Sequence, residues 1–130
     1  MSVPSLSPSP ENMASALEYF NWFHKVRYNG RKLEDAPDDL KNEEEIVEAA
    51  VTANWSALEF ASDNIKNDPQ FVMFAISKNG KALQYASDEL KNNPEIVKAA
   101  VSNNCEALQY ASDELKQSPE IIQIVENNEN

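Results

Sequence analysis

The chain has 130 residues, which is enough for one compact domain and too few for two ordinary ones. Its 22 acidic and 11 basic side chains give a formal net charge of −11, which disfavours binding to nucleic acid or to an anionic membrane surface, since both need an excess of lysine and arginine. Only two glycines are present, which leaves little room for a glycine-rich phosphate loop.

The N-terminal region divides into two predicted segments. Residues 1–12 are rich in serine and proline and are predicted to form a disordered tail. Residues 13–28 are predicted to form an N-terminal capping helix for the part of the chain that follows. The helical spacing places an apolar set on one side of it, consisting of Met13, Leu17, Phe20 and either His24 or Phe23.

No feature of the sequence indicates export or membrane insertion. The first ten residues lack the basic residue and the apolar run of a secretory signal. No stretch approaches the roughly 18 apolar residues of a membrane-spanning helix. We therefore expect a soluble, intracellular protein without a membrane span, and the choice between cytoplasm and an organelle stays open.

Residues 29–126 repeat a unit of 25 residues four times. The segment Ala57-Leu-Glu-Phe-Ala-Ser-Asp-Asn-Ile65 returns at 82–90 and 107–115, and a weaker copy lies at 32–40. Residues 79–103 and 104–128 are identical at 15 of 25 positions. A unit this short cannot bury its own apolar face, so stacking on the next unit is required.

Each unit is predicted to contain two short helices. Asp68, Asn93 and Ser118 each precede a proline, which is typical of an N-cap followed by the first helical residue. The helix that follows presents an apolar stripe and is predicted to end at an asparagine in the left-handed conformation, at Asn29, Asn54, Asn79 or Asn104. The second helix would turn Leu83 and Ala86 towards the core, and Ser62, Ser87 and Ser112 are predicted to cap a final short turn.

The sequence therefore predicts an all-α fold, a short α-solenoid of about four 25-residue two-helix repeats with an N-terminal capping helix. Phe60, Tyr85 and Tyr110 share one repeat position and are expected to stack as a ladder. At the C-terminal end, Ile124 and Val125 place bulky groups where no further repeat follows. Residues 127–130 are polar and are expected to fray.

The repeat also resembles a known family. The pattern Asn-Gly-x-Ala-Leu-x-Tyr-Ala-Ser-x-x-Leu-Lys, followed by x-Glu-Ile-Val-x-x-Ala-Val, is similar to a tandem-repeat family catalogued as a domain of unknown function. The resemblance covers about 30–126 and is best over 79–115. Repeat one departs from it, with Asp35 at the aromatic position and Pro37 at the serine position. The resemblance implies a small helical array and brings no catalytic residue.

No group of residues predicts catalysis, a cofactor or a metal. Cys105 and His24 are the only thiol and imidazole, and they lie more than three repeats apart. His24 alone cannot form a zinc site. The acidic run from Glu34 to Glu48 lacks the ligand spacing of a calcium loop. Cys105 stands where other repeats have Gly30, Trp55 and Gly80, which we interpret as a tolerant position after a helix. We therefore expect a protein that is not an enzyme.

Aromatic and acidic residues are distributed unevenly. Five of eleven aromatics lie within residues 19–28, where they either cap the first repeat or bind a partner. Residues 1–33 carry a net charge of +2, residues 34–68 carry −9 and residues 69–130 carry −4. The residues favoured as partner contacts are Tyr19, Trp22, Trp55, Glu43, Glu44, Glu45 and Glu48.

These patterns favour a non-catalytic protein–protein interaction module or an accessory, linking subunit of a larger assembly. The partner would be a protein with a basic surface, towards which the acidic middle would steer it. The alternative is an acidic inhibitor or nucleic-acid mimic that occupies a basic surface on another protein. The identity of the partner and the oligomeric state stay open.

Overall fold

The computed structural model describes residues 10–129, and its side chains from 15 to 128. This part of the chain is a linear array of helices, with no strand among the described residues. The α-helices are α1 (Pro10–Tyr28), α2 (Asp38–Lys41), α3 (Glu44–Ala53), α4 (Asp63–Lys66), α5 (Pro69–Lys78), α6 (Asp88–Lys91), α7 (Pro94–Asn103), α8 (Asp113–Lys116) and α9 (Pro119–Glu129). The 3₁₀ helices are η1 (Gly30–Asp35), η2 (Trp55–Phe60), η3 (Gly80–Tyr85) and η4 (Cys105–Tyr110). The all-α repeat solenoid is therefore confirmed.

Each repeat contains three helical pieces rather than two. A 3₁₀ helix of six residues comes first, then a four-residue α-turn, and a longer α-helix of ten or eleven residues follows. The predicted second helix breaks because Ala86 and Ser87 take extended backbone angles between η3 and α6. Ser87 then restarts the helix by accepting a hydrogen bond from the backbone N–H of Leu90, and Ser62 and Ser112 do the same. The predicted serine caps are confirmed.

The asparagines between repeats have a different role from the one predicted. Asn54, Asn79 and Asn104 lie in extended backbone rather than in the left-handed conformation. Each side chain accepts a hydrogen bond from the backbone N–H two residues later, as in Asn79 Oδ1 with Lys81 at 2.9 Å. The asparagine therefore starts the following 3₁₀ helix, and its own N–H still closes the preceding α-helix.

The predicted caps at the start of the longer helices are confirmed at two positions. Asp68 Oδ1 accepts from the N–H groups of Gln70 and Phe71, and Asn93 Oδ1 accepts from Glu95 and Ile96. A proline follows each of these caps at the first helical position. Glu43 takes the same place in α3 but makes no side-chain cap bond.

The core is a row of small and branched apolar side chains along the longer helices. The central helices bury the same four repeat positions, which in α7 are Ile96, Val97, Ala100 and Val101. The buried side chains fall into two clusters that meet near α5, because Phe71 and Ala75 belong to the first cluster and Val72 and Ile76 to the second. No polar or charged side chain in the described part of the chain is buried.

A hydrogen-bonded seam joins successive repeats at the serine position. Ser87 Oγ donates to Asn67 Oδ1 at 2.6 Å, and the Ser87 N–H donates to the Lys66 carbonyl at 2.9 Å. The same pair of bonds recurs at Ser62 and at Ser112. In repeat one this position is Pro37, which has neither an N–H nor a hydroxyl. Repeat one therefore departs from the family pattern, with Pro37 in place of serine, at the position where the serines of later repeats bond to the repeat before them.

The position shared by Gly30, Trp55, Gly80 and Cys105 accepts a side chain in repeats two and four but not at the two glycines. A Cβ at Gly30 would overlap the carbonyl oxygen of Ala50, and a Cβ at Gly80 would overlap that of Ala100. Glycine there lets η1 pack closely on α3 in repeat one, and η3 on α7 in repeat three. Between repeats two and three the same position holds Trp55, whose ring packs on Tyr85 with the centroids 6.3 Å apart.

The predicted aromatic ladder is wrong in its partners. Tyr85 packs on Trp55 rather than on the next tyrosine along the array. The guanidinium of Arg31 lies 4.8 Å from the ring centre of Phe60. Among the described rings, no pair joins Phe60, Tyr85 and Tyr110 to one another.

The two ends also differ from the prediction. Helix α1 begins at Pro10, so residues 10–12, assigned to the tail, are helical, and the rest of the tail lies outside the described residues. A proline at the first helical position and an acidic residue next to it explain this earlier start. Helix α9 includes residues 127–129, which were expected to fray. No helix among residues 10–129 is long and apolar enough to cross a membrane.

The apolar sides of the terminal helices are also reassigned. The predicted apolar side of α1 is exposed at Leu17 and Phe20, and the residues that pack on the core are Tyr19, Trp22, Phe23 and Val26. Helix α1 is apolar around much of its surface, so spacing alone selected the wrong side. Ile124 and Val125 are half-buried and pack against the second core cluster.

Candidate functional site: the surfaces beside α3

Helix α3 carries most of the predicted contact residues, and α1 packs along one side of it. The hydroxyl of Tyr19 on α1 donates a hydrogen bond of 2.6 Å to Glu45 Oε2 on α3. This bond raises the pKa of Tyr19 to about 12, with smaller contributions from burial and from the charges of Glu45 and Glu43. The fold therefore brings two of the predicted residues, Tyr19 and Glu45, into direct contact.

An open groove of about 670 Å³ lies between α1 and α3. Carboxylates of Glu45 and Glu48 line the α3 side, and Phe23 and Arg27 line the α1 side. The guanidinium of Arg27 lies 5.7 Å from the ring centre of Phe23. Ala49, Thr52 and Ala53 complete the lining.

A second, smaller groove of about 210 Å³ lies on the other side of α3, towards α5. Its acidic residues are Glu44, Glu48 and Asp68, and its aromatic residues are Phe71 and Phe74. Glu48 lines both grooves. The carboxylates of α3 therefore stand on a ridge with an aromatic side chain in the groove on each side.

The glutamates of this ridge differ from other carboxylates of the array in their pairing. Glu59 pairs with Arg31 at 3.3 Å, Glu106 with Lys81 at 2.7 Å, and Glu120 with Lys98 at 2.8 Å. The Glu120 contact lowers the pKa of that carboxyl through its hydrogen bond with Lys98. Among the described side chains, no lysine or arginine forms an ion pair with Glu43, Glu44, Glu45 or Glu48. Their negative charge is available to a basic group from outside.

The remaining predicted contact residues lie away from the two grooves. Trp22 is half-buried against the first core cluster, and the Lys25 ammonium lies 4.4 Å from its ring centre. Trp55 lies in η2, where it packs on Tyr85. Glu43 is exposed just before α3. The candidate residues are thus divided between the α3 grooves and the packing of the array.

Sequence reasoning missed the residues that supply the other wall of each groove. Phe23 and Arg27 on α1, and Phe74 on α5, lie across from the α3 glutamates. The available signal was the helical spacing of Tyr19, Phe23 and Arg27. These residues follow one another at every fourth position and so lie along one side of α1. Composition alone could not show which side of α1 meets α3.

The other chemically distinctive residues stay apart from this site. Cys105 is a half-buried free thiol in η4, with its Sγ 4.0 Å from the carbonyl oxygen of Val125. The imidazole of His24 packs on Phe20, with ring centres 4.4 Å apart, near the other end of the array. No cluster of three or more potential metal ligands occurs among the described residues.

The repeat geometry agrees with a comparison against known families. Three segments of the chain, residues 25–66, 68–116 and 93–125, match the family described as Domain of unknown function (DUF4116). The chain belongs to this family. The matched segments together cover η1 to η4 and the core positions of α3, α5 and α7. No curated protein and no solved structure matches the chain.

Proposed function

We propose that this member of the DUF4116 family is a non-catalytic protein–protein interaction module, acting as an accessory or linking subunit that holds a basic segment of a partner against α3. The observation that carries the proposal is the ridge of Glu44, Glu45 and Glu48, which forms no ion pair with any lysine or arginine of residues 15–128 and is flanked by grooves with aromatic residues. Intracellular location belongs to the same proposal.

The chemistry of the grooves indicates the kind of segment that would fit. Lysine or arginine side chains of the partner would form ion pairs with the ridge glutamates. The desolvation cost of these glutamates would be limited because they are exposed. Aliphatic or aromatic side chains between the basic residues would enter the grooves beside Phe23 and Phe74. A segment that alternates basic and apolar residues would use both features.

Tyr19 holds one glutamate of the ridge in a fixed orientation. Its hydroxyl occupies one oxygen of Glu45, which holds that side chain in place and leaves the other oxygen for a partner. A side chain that is already held loses less rotamer freedom on binding. This arrangement supports a defined docking site over a diffuse acidic surface.

The experiment is a binding titration with a labelled peptide of alternating lysine and leucine, followed by fluorescence anisotropy. The triple variant Glu44→Gln, Glu45→Gln, Glu48→Gln is expected to weaken binding by at least about tenfold. The matched control is Asp88→Asn, Glu89→Gln, Glu114→Gln, which removes the same number of exposed negative charges from α6 and α8. Equal losses in the two variants would show that only the net charge matters, and would contradict the proposed site.

The acidic inhibitor or nucleic-acid mimic is separated from this proposal by a second comparison. A mimic needs only its carboxylates, so polylysine would bind as well as the lysine–leucine peptide, and the binding would disappear as salt is raised. The protein would then also displace duplex DNA from a basic DNA-binding domain. The groove proposal predicts preference for the mixed peptide and residual binding near physiological salt.

A further inference from the structure

The outer side of α1 carries a concentration of exposed apolar side chains. Four large hydrophobic residues are exposed in the described part of the chain, and three of them lie on this helix: Leu17 at 61%, Phe20 at 57% and Tyr28 at 91%. With His24 they follow the spacing of three and four residues that places side chains on one helix face. We call this set, Leu17, Phe20, His24 and Tyr28, the outer face of α1.

The repeat register identifies what this face would contact in a longer array. Glu45 and Ala49 on α3 line the groove towards α1, so these positions face the preceding helix. A shift of 25 residues maps them onto Phe20 and His24. The outer face of α1 is therefore the face by which later helices of the array pack on the helix before them, and among the described residues nothing covers it.

We propose that a second copy of this chain covers this face, through an antiparallel contact between the two α1 helices. In this arrangement Leu17 of one copy lies opposite Tyr28 of the other, and Phe20 lies opposite His24. Antiparallel packing also opposes the two helix dipoles. An isologous pair of this kind is closed, and such pairs are the commonest assemblies of identical chains.

Charge complementarity on α1 favours the antiparallel pair. Glu18 and Lys25 are exposed, lie seven residues apart, and share the flank next to the outer face. Reversing one helix against the other brings Glu18 of each copy towards Lys25 of its partner copy.

The overall charge distribution also favours association through the N-terminal end of the molecule. Residues 1–33 have a net charge of +2, whereas the segments 34–68 and 69–130 have −9 and −4. Two chains that each carry −11 repel least when they approach through the part that is not acidic.

The opposite end of the array offers a poorer surface for this face. In α9 the positions that correspond to Lys98 and Val101 are Gln123 and Glu126, and both are exposed. Lys98 faces the following helix, as its bond with Glu120 shows, so a following helix would have to cover Gln123 and Glu126. Burying Glu126 against Phe20 would cost free energy without a paired charge.

The test is sedimentation equilibrium of the full chain over a concentration series, with circular dichroism to confirm folding. Phe20→Asp is expected to raise the dissociation constant of the dimer by at least about 100-fold, because each dimer buries two copies of this side chain. Met73→Asp is the matched control, since Met73 is an exposed apolar residue on α5, 41% accessible, and it should leave association unchanged.

A charge exchange tests the antiparallel orientation. Glu18→Lys and Lys25→Glu should each weaken the dimer by about tenfold, since each places like charges opposite one another. The double variant should restore association to within about threefold of the wild-type value. Failure of the double variant to restore it would overturn the antiparallel pair.

Two further outcomes would overturn the proposal. A wild-type chain that stays monomeric up to about 1 mM would show that another occupant, including residues 1–9 of the same chain, covers the face. Loss of association in Ile122→Asp, on the outer side of α9, would indicate head-to-tail stacking. In that case an equimolar mixture of Ile122→Asp and Phe20→Asp would form a heterodimer, which the proposed pair does not allow.

Discussion

Gly80 lies directly against the carbonyl oxygen of Ala100, which is twenty positions later in α7 of the same repeat. Any side chain at Gly80 would overlap that oxygen, so the glycine sets how closely η3 approaches α7. Its N–H also donates a hydrogen bond of 2.7 Å to Asn103 Oδ1, which fixes the contact from both sides.

Gly80→Ala should therefore destabilise the array. The added methyl group forces α7 and η3 apart, and overpacking of this kind costs about 1 to 3 kcal/mol of unfolding free energy. Urea unfolding followed by circular dichroism measures it. The control is Cys105→Ala, a substitution at the same repeat position where a side chain is already accommodated, and it should cost less than about 1 kcal/mol. Equal effects at the two positions would contradict the close approach.

Ser87→Ala should weaken the seam between repeats two and three. The change removes the bond to Asn67 and the cap bond from the Leu90 N–H, for a loss of about 1 to 2 kcal/mol of unfolding free energy. Thermal and urea unfolding measure this loss. Ser77→Ala is the control, because this exposed serine bonds only to Phe74 within its own helix, and a comparable loss there would refute the seam.

Glu45→Gln should lower the pKa of Tyr19 from about 12 towards its ordinary value of 10, because the hydrogen bond to a carboxylate is the main cause of the raised pKa. The phenolate absorbance of Tyr19, obtained as a difference from Tyr19→Phe, follows the titration. Glu44→Gln is the control, since Glu44 is not bonded to the phenol. An unchanged pKa in Glu45→Gln would show that burial, and not this bond, dominates.

The same contact predicts how stability depends on pH at the alkaline end. The folded-state pKa of Tyr19 lies above its unfolded value, so the stabilisation is fully present below about pH 10 and is lost as pH rises through about 12. The difference in unfolding free energy between wild type and Tyr19→Phe should therefore shrink across that window. A constant difference would contradict the linkage.

Trp55→Ala should reduce stability and leave binding of the lysine–leucine peptide unchanged. The indole packs on Tyr85 between repeats two and three, and its removal leaves a gap that costs about 2 to 3 kcal/mol of unfolding free energy. Chemical unfolding and peptide anisotropy, measured on the same preparation, separate the two effects. Weaker peptide binding by a folded Trp55→Ala would instead make Trp55 a partner contact.

The sequence was sufficient for the side-chain caps that start the helices, which depend on local chemistry. The caps at Asp68 and Asn93 were predictable because a capping side chain before proline acts within one turn. Ser87 was predictable as a cap for the same reason. Its second bond, to Asn67 in the preceding repeat, was not predicted, because it depends on how the repeats stack.

Some errors are local, such as the extended backbone of Asn79, and others concern how the helices pack on one another. The outward side of α1 was chosen wrongly because apolar residues surround that helix, and only the position of α3 selects Tyr19 over Phe20 for burial. The position of Gly80 looked tolerant because the chain itself varies it, yet at this glycine η3 lies too close to the Ala100 carbonyl of α7 for a side chain to fit. In the candidate site, the glutamates of α3 were predictable and the facing Phe23 was not.

The seam has a consequence for how the chain folds. The side-chain hydrogen bonds that join repeats link residues 20 to 28 positions apart, as at Ser87, at Arg31 with Ser56 and at Arg31 with Glu59. The loop that must close for each new contact therefore has the same length wherever folding begins, and its entropic cost does not grow along the array. An array with an inserted repeat should fold about as fast as this one, because its contacts stay equally local.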